Sequence, residues 1–183
     1  MIEIKDLTVI FSDKTIFRNS SFTLPDEGAV LLAGESGIGK TTLLRVIAGL
    51  LKPKSGHVTG TEGRRISFAF QEPRLLPQMT ALKNVSIVSD ETTARRLLSQ
   101  LNLTDIMQQK ASALSGGQKQ RVSLARAFAF SNDIVLLDEP FTGLDESNKL
   151  RAAELIRTAR LAVIVSHDPS DESLLNCDRK INL

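Results

Sequence analysis

Gly34-Glu35-Ser36-Gly37-Ile38-Gly39-Lys40-Thr41 reads G-x-x-x-x-G-K-T, the pattern of a loop that cradles phosphates. Ala29-Val30-Leu31-Leu32-Ala33 before it is a short apolar run, suited to a buried parallel strand. After it, residues 42–51 place Leu43, Leu44, Ile47 and Leu50 at the spacing of a helix with one buried face. Strand, glycine loop and helix is the context the pattern requires. The glycines let backbone N–H groups converge and a ligand approach closely. The new helix adds unpaired N–H groups and the positive end of its dipole, together an anion site. Lys40 supplies a point charge for the outer phosphates, and the Thr41 hydroxyl is placed to ligate Mg²⁺. The stretch therefore predicts binding of a nucleoside triphosphate.

Composition agrees with one domain, or one domain with a subdomain. The chain has 183 residues, of which 42% are hydrophobic, enough for a substantial core. Net charge is only +2 with both signs interspersed, which argues against a nucleic-acid groove. Cys177 is the single cysteine, so no intramolecular disulfide is expected; it reads as a small buried hydrophobe. Met1-Ile2-Glu3-Ile4-Lys5 is no signal peptide, and no apolar run approaches the roughly 18 residues of a membrane span. Any membrane role is expected to pass through a partner protein.

Two strand-like runs, 2–11 and 16–24, are joined by the polar turn Ser12-Asp13-Lys14. Phe11, ending the first run, could stack on a nucleotide base or serve as a core phenylalanine. Short strands are expected around 57–59 and 66–70, after which Pro73 breaks the pattern. Gln71 then falls just past a strand end, where open α/β sheets present ligand-facing residues. Residues 80–110 read as a small helical insert, with Ala94, Leu97, Leu98 and Leu101 on one helix face. Leu114-Ser115-Gly116-Gly117-Gln118 opens another helix, marked by Val122, Ala125 and Ala129. That N-terminus is either a second anion site or a flexible loop capped by Ser115.

Ile134-Val135-Leu136-Leu137 is a buried strand by composition and ends in Asp138-Glu139-Pro140. Two acids at the end of a core strand are costly unless they serve a ligand or find partners. Beside a phosphate loop this is the Walker B position: Asp138 would hold Mg²⁺ and Glu139 would deprotonate an attacking water. The alternative is a surface turn. A helix is expected over 146–160, a strand over 161–165, and then His167, either a bystander or a ligand to a γ-phosphate. A short helix over 171–176 and a strand over 179–183 close the chain.

The set and order of these motifs resemble the ATP-binding-cassette ATPases over nearly the whole chain. The discriminating element is the signature at residues 114–118, which P-loop kinases, GTPases and helicases do not carry. The resemblance implies an α/β fold: a P-loop NTPase core with a mostly parallel sheet, an N-terminal antiparallel β-subdomain and a small α-helical subdomain. It implies a single domain, 1–183, with the core and β-subdomain at 1–71 and 126–183 and the helical subdomain at about 72–125. Gly34, Glu35, Ser36, Gly37, Ile38, Gly39, Lys40, Thr41 and Thr42 would bind ATP, and Phe11 would stack on its adenine. Thr41, Gln71 and Asp138 would hold Mg²⁺. Glu139, His167, Lys40 and Gln71 would carry hydrolysis, with His167 keeping γ-phosphate and water in line. Ser115, Gly117 and Gln118 would contact ATP bound to a second subunit, and Asp145 would lie in the loop that crosses between subunits.

The implied partners are ATP, a second cassette (an identical copy or a paralogue) and transmembrane permease subunits. The implied location is cytoplasmic, on the inner face of the cell membrane through those permeases. The implied function is ATP hydrolysis that powers a membrane transporter through ATP-dependent head-to-tail dimerisation. Soluble cassette ATPases and nucleotide-gated scaffolds are the alternatives. The first carry long coiled-coil insertions or two cassettes, neither found here, and the presence of both Glu139 and His167 argues against the second. The 16 residues after His167 leave no room for the C-terminal regulatory region of some importers. Gln71-Glu72-Pro73-Arg74-Leu75-Leu76-Pro77 is similar to importers of nitrate, sulfonate or taurine, which usually place an aromatic where this chain has Gln78.

Overall fold

A computed structural model describes residues 1–11 and 14–183. The turn expected at Ser12 and Asp13 lies outside the described residues. In chain order the elements are β1 (Ile2–Phe11), β2 (Lys14–Leu24), β3 (Gly28–Ala33), α1 (Lys40–Ile47), β4 (Ser55–Thr59) and β5 (Ile66–Ala69). There follow α2 (Ala81–Ser86), α3 (Glu91–Gln100), α4 (Gly116–Phe130), β6 (Ile134–Asp138), α5 (Glu146–Ile156), β7 (Leu161–Val165), α6 (Ser170–Leu175) and β8 (Arg179–Asn182).

Strands β3, β5, β6, β7 and β8 form a five-stranded sheet in the order β5-β6-β7-β3-β8, parallel at every pairing. The alternation of its buried residues shows both faces covered. Ile134, Leu136, Val163, Val30 and Leu32 point to one side, where Leu43, Leu44 and Ile47 of α1 and Ile2, Ile4, Leu7 and Phe17 of the second sheet meet them. Val135, Leu137, Ile164 and Leu31 point to the other, against α2, α3, α4 and α5 through Val85, Leu97, Leu98, Val122, Ala125 and Leu155. The second sheet is antiparallel with order β2-β1-β4. The expected fold class is borne out.

Element ends differ from expectation where local chemistry overrides periodicity. Helix α1 starts at Lys40 because Gly39, at φ 117°, turns the chain directly into it. It stops at Ile47 because Gly49 is left-handed at φ 69°, with its N–H on Val46 O and the Leu50 N–H on Arg45 O. Leu50, expected on the buried face, is therefore exposed. Cys177 is half-buried, and burial pushes its thiol up to about 11, so it stays protonated at neutral pH.

Candidate functional site

The loop between β3 and α1 wraps around the ammonium of its own lysine. Lys40 is 5% exposed, and its Nζ donates to Gly34 O at 2.6 Å and Glu35 O at 2.9 Å. A full charge is thus held in a hollow bordered by the unpaired N–H groups of the first turn of α1. The loop is also pressed from outside. A Cβ on Gly39 would lie 2.5 Å from Ile16 Cγ2 and 2.9 Å from Phe17 Cζ, so glycine is required there for space as well as for φ.

Strand β6 delivers the acids. Asp138, 3% exposed, accepts from Thr41 Oγ1 at 3.0 Å, which ties the end of β6 to the start of α1. Burial raises its pKa, opposed by the Thr41 hydroxyl and then by the charges of Arg45, His167 and Lys40. Glu139 follows with a left-handed backbone, φ 55°. Burial likewise lifts its carboxyl above the usual carboxylate value, with His167 pulling the other way.

Parallel register explains why Glu139 and His167 meet. Asp138 pairs with Val165, so the residues just beyond each strand leave the sheet side by side. His167 Nε2 stands 3.1 Å from Glu139 Oε1. That is an ion-pair distance without hydrogen-bond alignment, and Glu139 Oε1 is left buried with no donor. Gln71, two residues beyond β5 on the neighbouring strand, completes the rim.

These residues surround one cavity of about 220 Å³, lined by Ser36, Gly37, Gly39, Lys40, Thr41, Thr42, Gln71, Asp138, Glu139 and His167, with Ile16 and Val165. Gly34 and Glu35 contribute carbonyls to the lysine rather than walls to the cavity, and Ile38 is exposed. Phe11 is 43% exposed, which rules out the core alternative, and it does not line the cavity. The hydroxyl of Thr41 and the carboxylate of Asp138 are hard oxygen donors side by side, a set that fits Mg²⁺. No group of three His, Cys, Asp or Glu side chains suited to a metal occurs among the described residues, so further ligands would be Gln71, which also lines the cavity, phosphate oxygens and water.

The second expected half of the site lies elsewhere. Ser115, Gly117, Gln118 and Asp145 do not line the cavity. Ser115 and Gln118 form a reciprocal capping box at the start of α4: Gln118 N to Ser115 Oγ at 3.3 Å, and Ser115 N to Gln118 Oε1 at 2.9 Å. The helix-cap alternative is thus realised in the free chain. Asp145 caps α5, accepting from Asn148 N at 2.9 Å and Asn148 Nδ2 at 2.8 Å.

Sequence reading missed a polar seam between these parts. Gln120 donates to Glu139 O at 3.1 Å. Arg121, 9% exposed, reaches Leu101 O, Asn102 O, Gly117 O and Asn148 Oδ1. The available signal was a Gln-Arg pair running straight into the apolar stripe at Val122.

A family model described as ABC transporter matches residues 17–142. The chain is 39% identical to the aliphatic sulfonates import ATP-binding protein SsuB of Zymomonas mobilis subsp. mobilis, over 100% of this chain and 81% of that protein. A namesake from Granulibacter bethesdensis is 40% identical over 94% and 75%, and one from Rhodococcus jostii 38% over 94% and 67%. Among solved structures it resembles the dimeric post-hydrolysis ATP-binding cassette MJ0796 bound to ADP and Pi. That likeness has TM-score 0.88 and 27% identity, covering 100% of this chain and 94% of that one.

Proposed function

Because the chain belongs to the ABC transporter family as its ATP-binding and ATP-hydrolysing subunit, we propose that two such cassettes pair head to tail around ATP and drive the import of aliphatic sulfonates. The observation that carries the pairing is the split site. The cavity holds the phosphate loop, Asp138, Glu139 and His167 but not the turn at 115–118, which stands on a separate helix N-terminus. A partner's turn would supply the missing wall, and the related MJ0796 cassettes are dimeric. The sulfonate assignment rests on relatives at 38–40% identity that bear that name.

In the paired state Lys40 and the first N–H groups of α1 take the phosphate charge, and Phe11 offers its exposed ring to the adenine. Thr41, Asp138 and Gln71 would hold Mg²⁺, which when bound would neutralise phosphate charge. Glu139, whose side chain lines the cavity, is placed to accept a proton from water, and its lifted pKa suits a general base. His167, beside it, keeps the water and γ-phosphate in line. The partner's Ser115, Gly117 and Gln118 close over that phosphate, and Asp145 sits at the crossing between subunits. The segment at about 72–125 docks on a permease, placing the pair on the cytoplasmic face of the membrane.

Glu139→Gln tests the reading. ATPase activity should fall by roughly 10²–10⁴-fold, and light scattering should show ATP converting monomer to dimer. A variant that hydrolyses at the parent rate, or stays monomeric at saturating ATP, overturns it. Deletion in the source organism should abolish growth on an alkanesulfonate, but not on sulfate, as sole sulfur source; normal growth on both refutes the substrate.

A further inference from the structure

The backbone at Glu139 is held in an improbable conformation. It is left-handed at φ 55°, which residues with a Cβ avoid, and it precedes Pro140, whose ring further narrows the choices of the residue before it. Such a conformation persists only where neighbours over-determine it. Two sides do so here. The Glu139 N–H donates to Val165 O at 2.9 Å, fixing it to β7, and its carbonyl accepts from Gln120 Nε2 at 3.1 Å and from Thr142 N at 3.3 Å. Gln120 is 5% exposed, and facing a carbonyl it must present its NH₂ group.

Gln120 sits on α4, the helix whose first turn is the 115–118 signature. The same face of α4 is keyed at two more points, to the loop after Glu139 and to helix α5 beyond it. A Cβ on Gly117 would come 2.5 Å from Gly143 O, so helix and loop touch backbone to backbone. Arg121 Nη1 reaches Asn148 Oδ1 at 2.8 Å. Positions 117, 120 and 121 are spaced i, i+3, i+4, one stripe of a helix. At 1.5 Å per residue, Gln120 is about 7.5 Å along the helix from Ser115, too short a span to bend. A tilt of the signature must therefore reach the Glu139 carbonyl.

We propose that Gln120 is a positioning residue for Glu139, tying the catalytic carboxylate of each cassette to its own signature helix. The proposal rests on Glu139 being the base. It gives the two nucleotide sites of a pair a direct link: a signature that closes on the partner's ATP sets the geometry of the acid in its own site.

Gln120→Met keeps length and burial but removes the donor, and Gln120→Asn keeps the amide one methylene too short. In the full chain both should lower kcat by about tenfold or more while the Kd for ATP stays within about twofold and Tm holds. On a Glu139→Gln background, single-turnover hydrolysis of radiolabelled ATP should be indifferent to Gln120→Met, because the residue acts only through the lost carboxylate. A parent-like kcat, a loss shared equally between kcat and ATP affinity, or a further multiplicative loss on the Glu139→Gln background overturns the proposal. Failure of the base assignment would appear separately, as a Glu139→Gln single variant with full activity.

Discussion

Replacing Arg121 by methionine should destabilise the chain by about 2–3 kcal/mol, and the structure shows why the figure is neither smaller nor larger. Of its four acceptors, Leu101 O (2.8 Å) and Asn148 Oδ1 (2.8 Å) are buried, while Asn102 O and Gly117 O are only partly so. Water can replace the guanidinium at the latter pair. The buried pair would be orphaned, at roughly 1–3 kcal/mol each. Against this, burial disfavours the charged guanidinium and lowers its pKa, so removing it returns part of that cost. Methionine fills nearly the same volume, which keeps a cavity term out of the measurement; alanine would add one. The chain has no Trp and no Tyr, so unfolding is best followed by far-UV circular dichroism in urea. For a domain of this size the expected drop in Tm is about 4–10 °C. Asn148→Ala should lose most of its own effect in the Arg121→Met background, since the two share a bond. A loss under about 0.5 kcal/mol, or full additivity of the pair, would refute the account of Arg121 as the hub joining α3, α4 and α5.

Two further outcomes follow from the geometry. Lys40→Ala removes the one charge enclosed by the phosphate loop and should weaken ATP binding by about 10- to 100-fold in calorimetric titration; an unchanged isotherm would show that the helix N-terminus suffices alone. Asp168 has its carboxyl pulled from 3.8 to about 2 by the Ser170 hydroxyl and backbone N–H and by Lys149. A lowered folded-state pKa adds stability that is present above pH 3.8 and lost as pH falls through about 2. Asp168→Asn should therefore lower Tm at pH 7 and converge on the parent toward pH 2, and a gap that persists in acid would count against the ion pair.

How much of this was legible beforehand depends on the range over which each feature is decided. The strand, glycine loop and helix around residues 29–47 were readable because loop chemistry and periodicity are written within one turn of the chain. Asp138-Glu139 stood out for the same reason: acids directly after a buried apolar run need a purpose. His167 and Gln71 were placed by the rule that strand ends face ligands, and both line the cavity. Phe11 was ambiguous, because a lone aromatic at a strand end does not reveal whether a partner element covers it. Leu50 was misread because a left-handed Gly49 ends the helix before the periodicity does.

The sequence by itself determined the fold class, the phosphate loop and the ordered set of acids and histidine, because each depends on residues within a few positions of one another. The tertiary structure alone decided the strand order β5-β6-β7-β3-β8, and with it the meeting of Glu139 and His167 across β6 and β7. It alone decided that Gln120 and Arg121, 19 and 27 residues from Glu139 and Asn148, would become a buried seam rather than a solvated face. Periodicity says which side of a helix is covered but not what covers it, and a buried polar side chain takes its meaning only from the acceptor it finds.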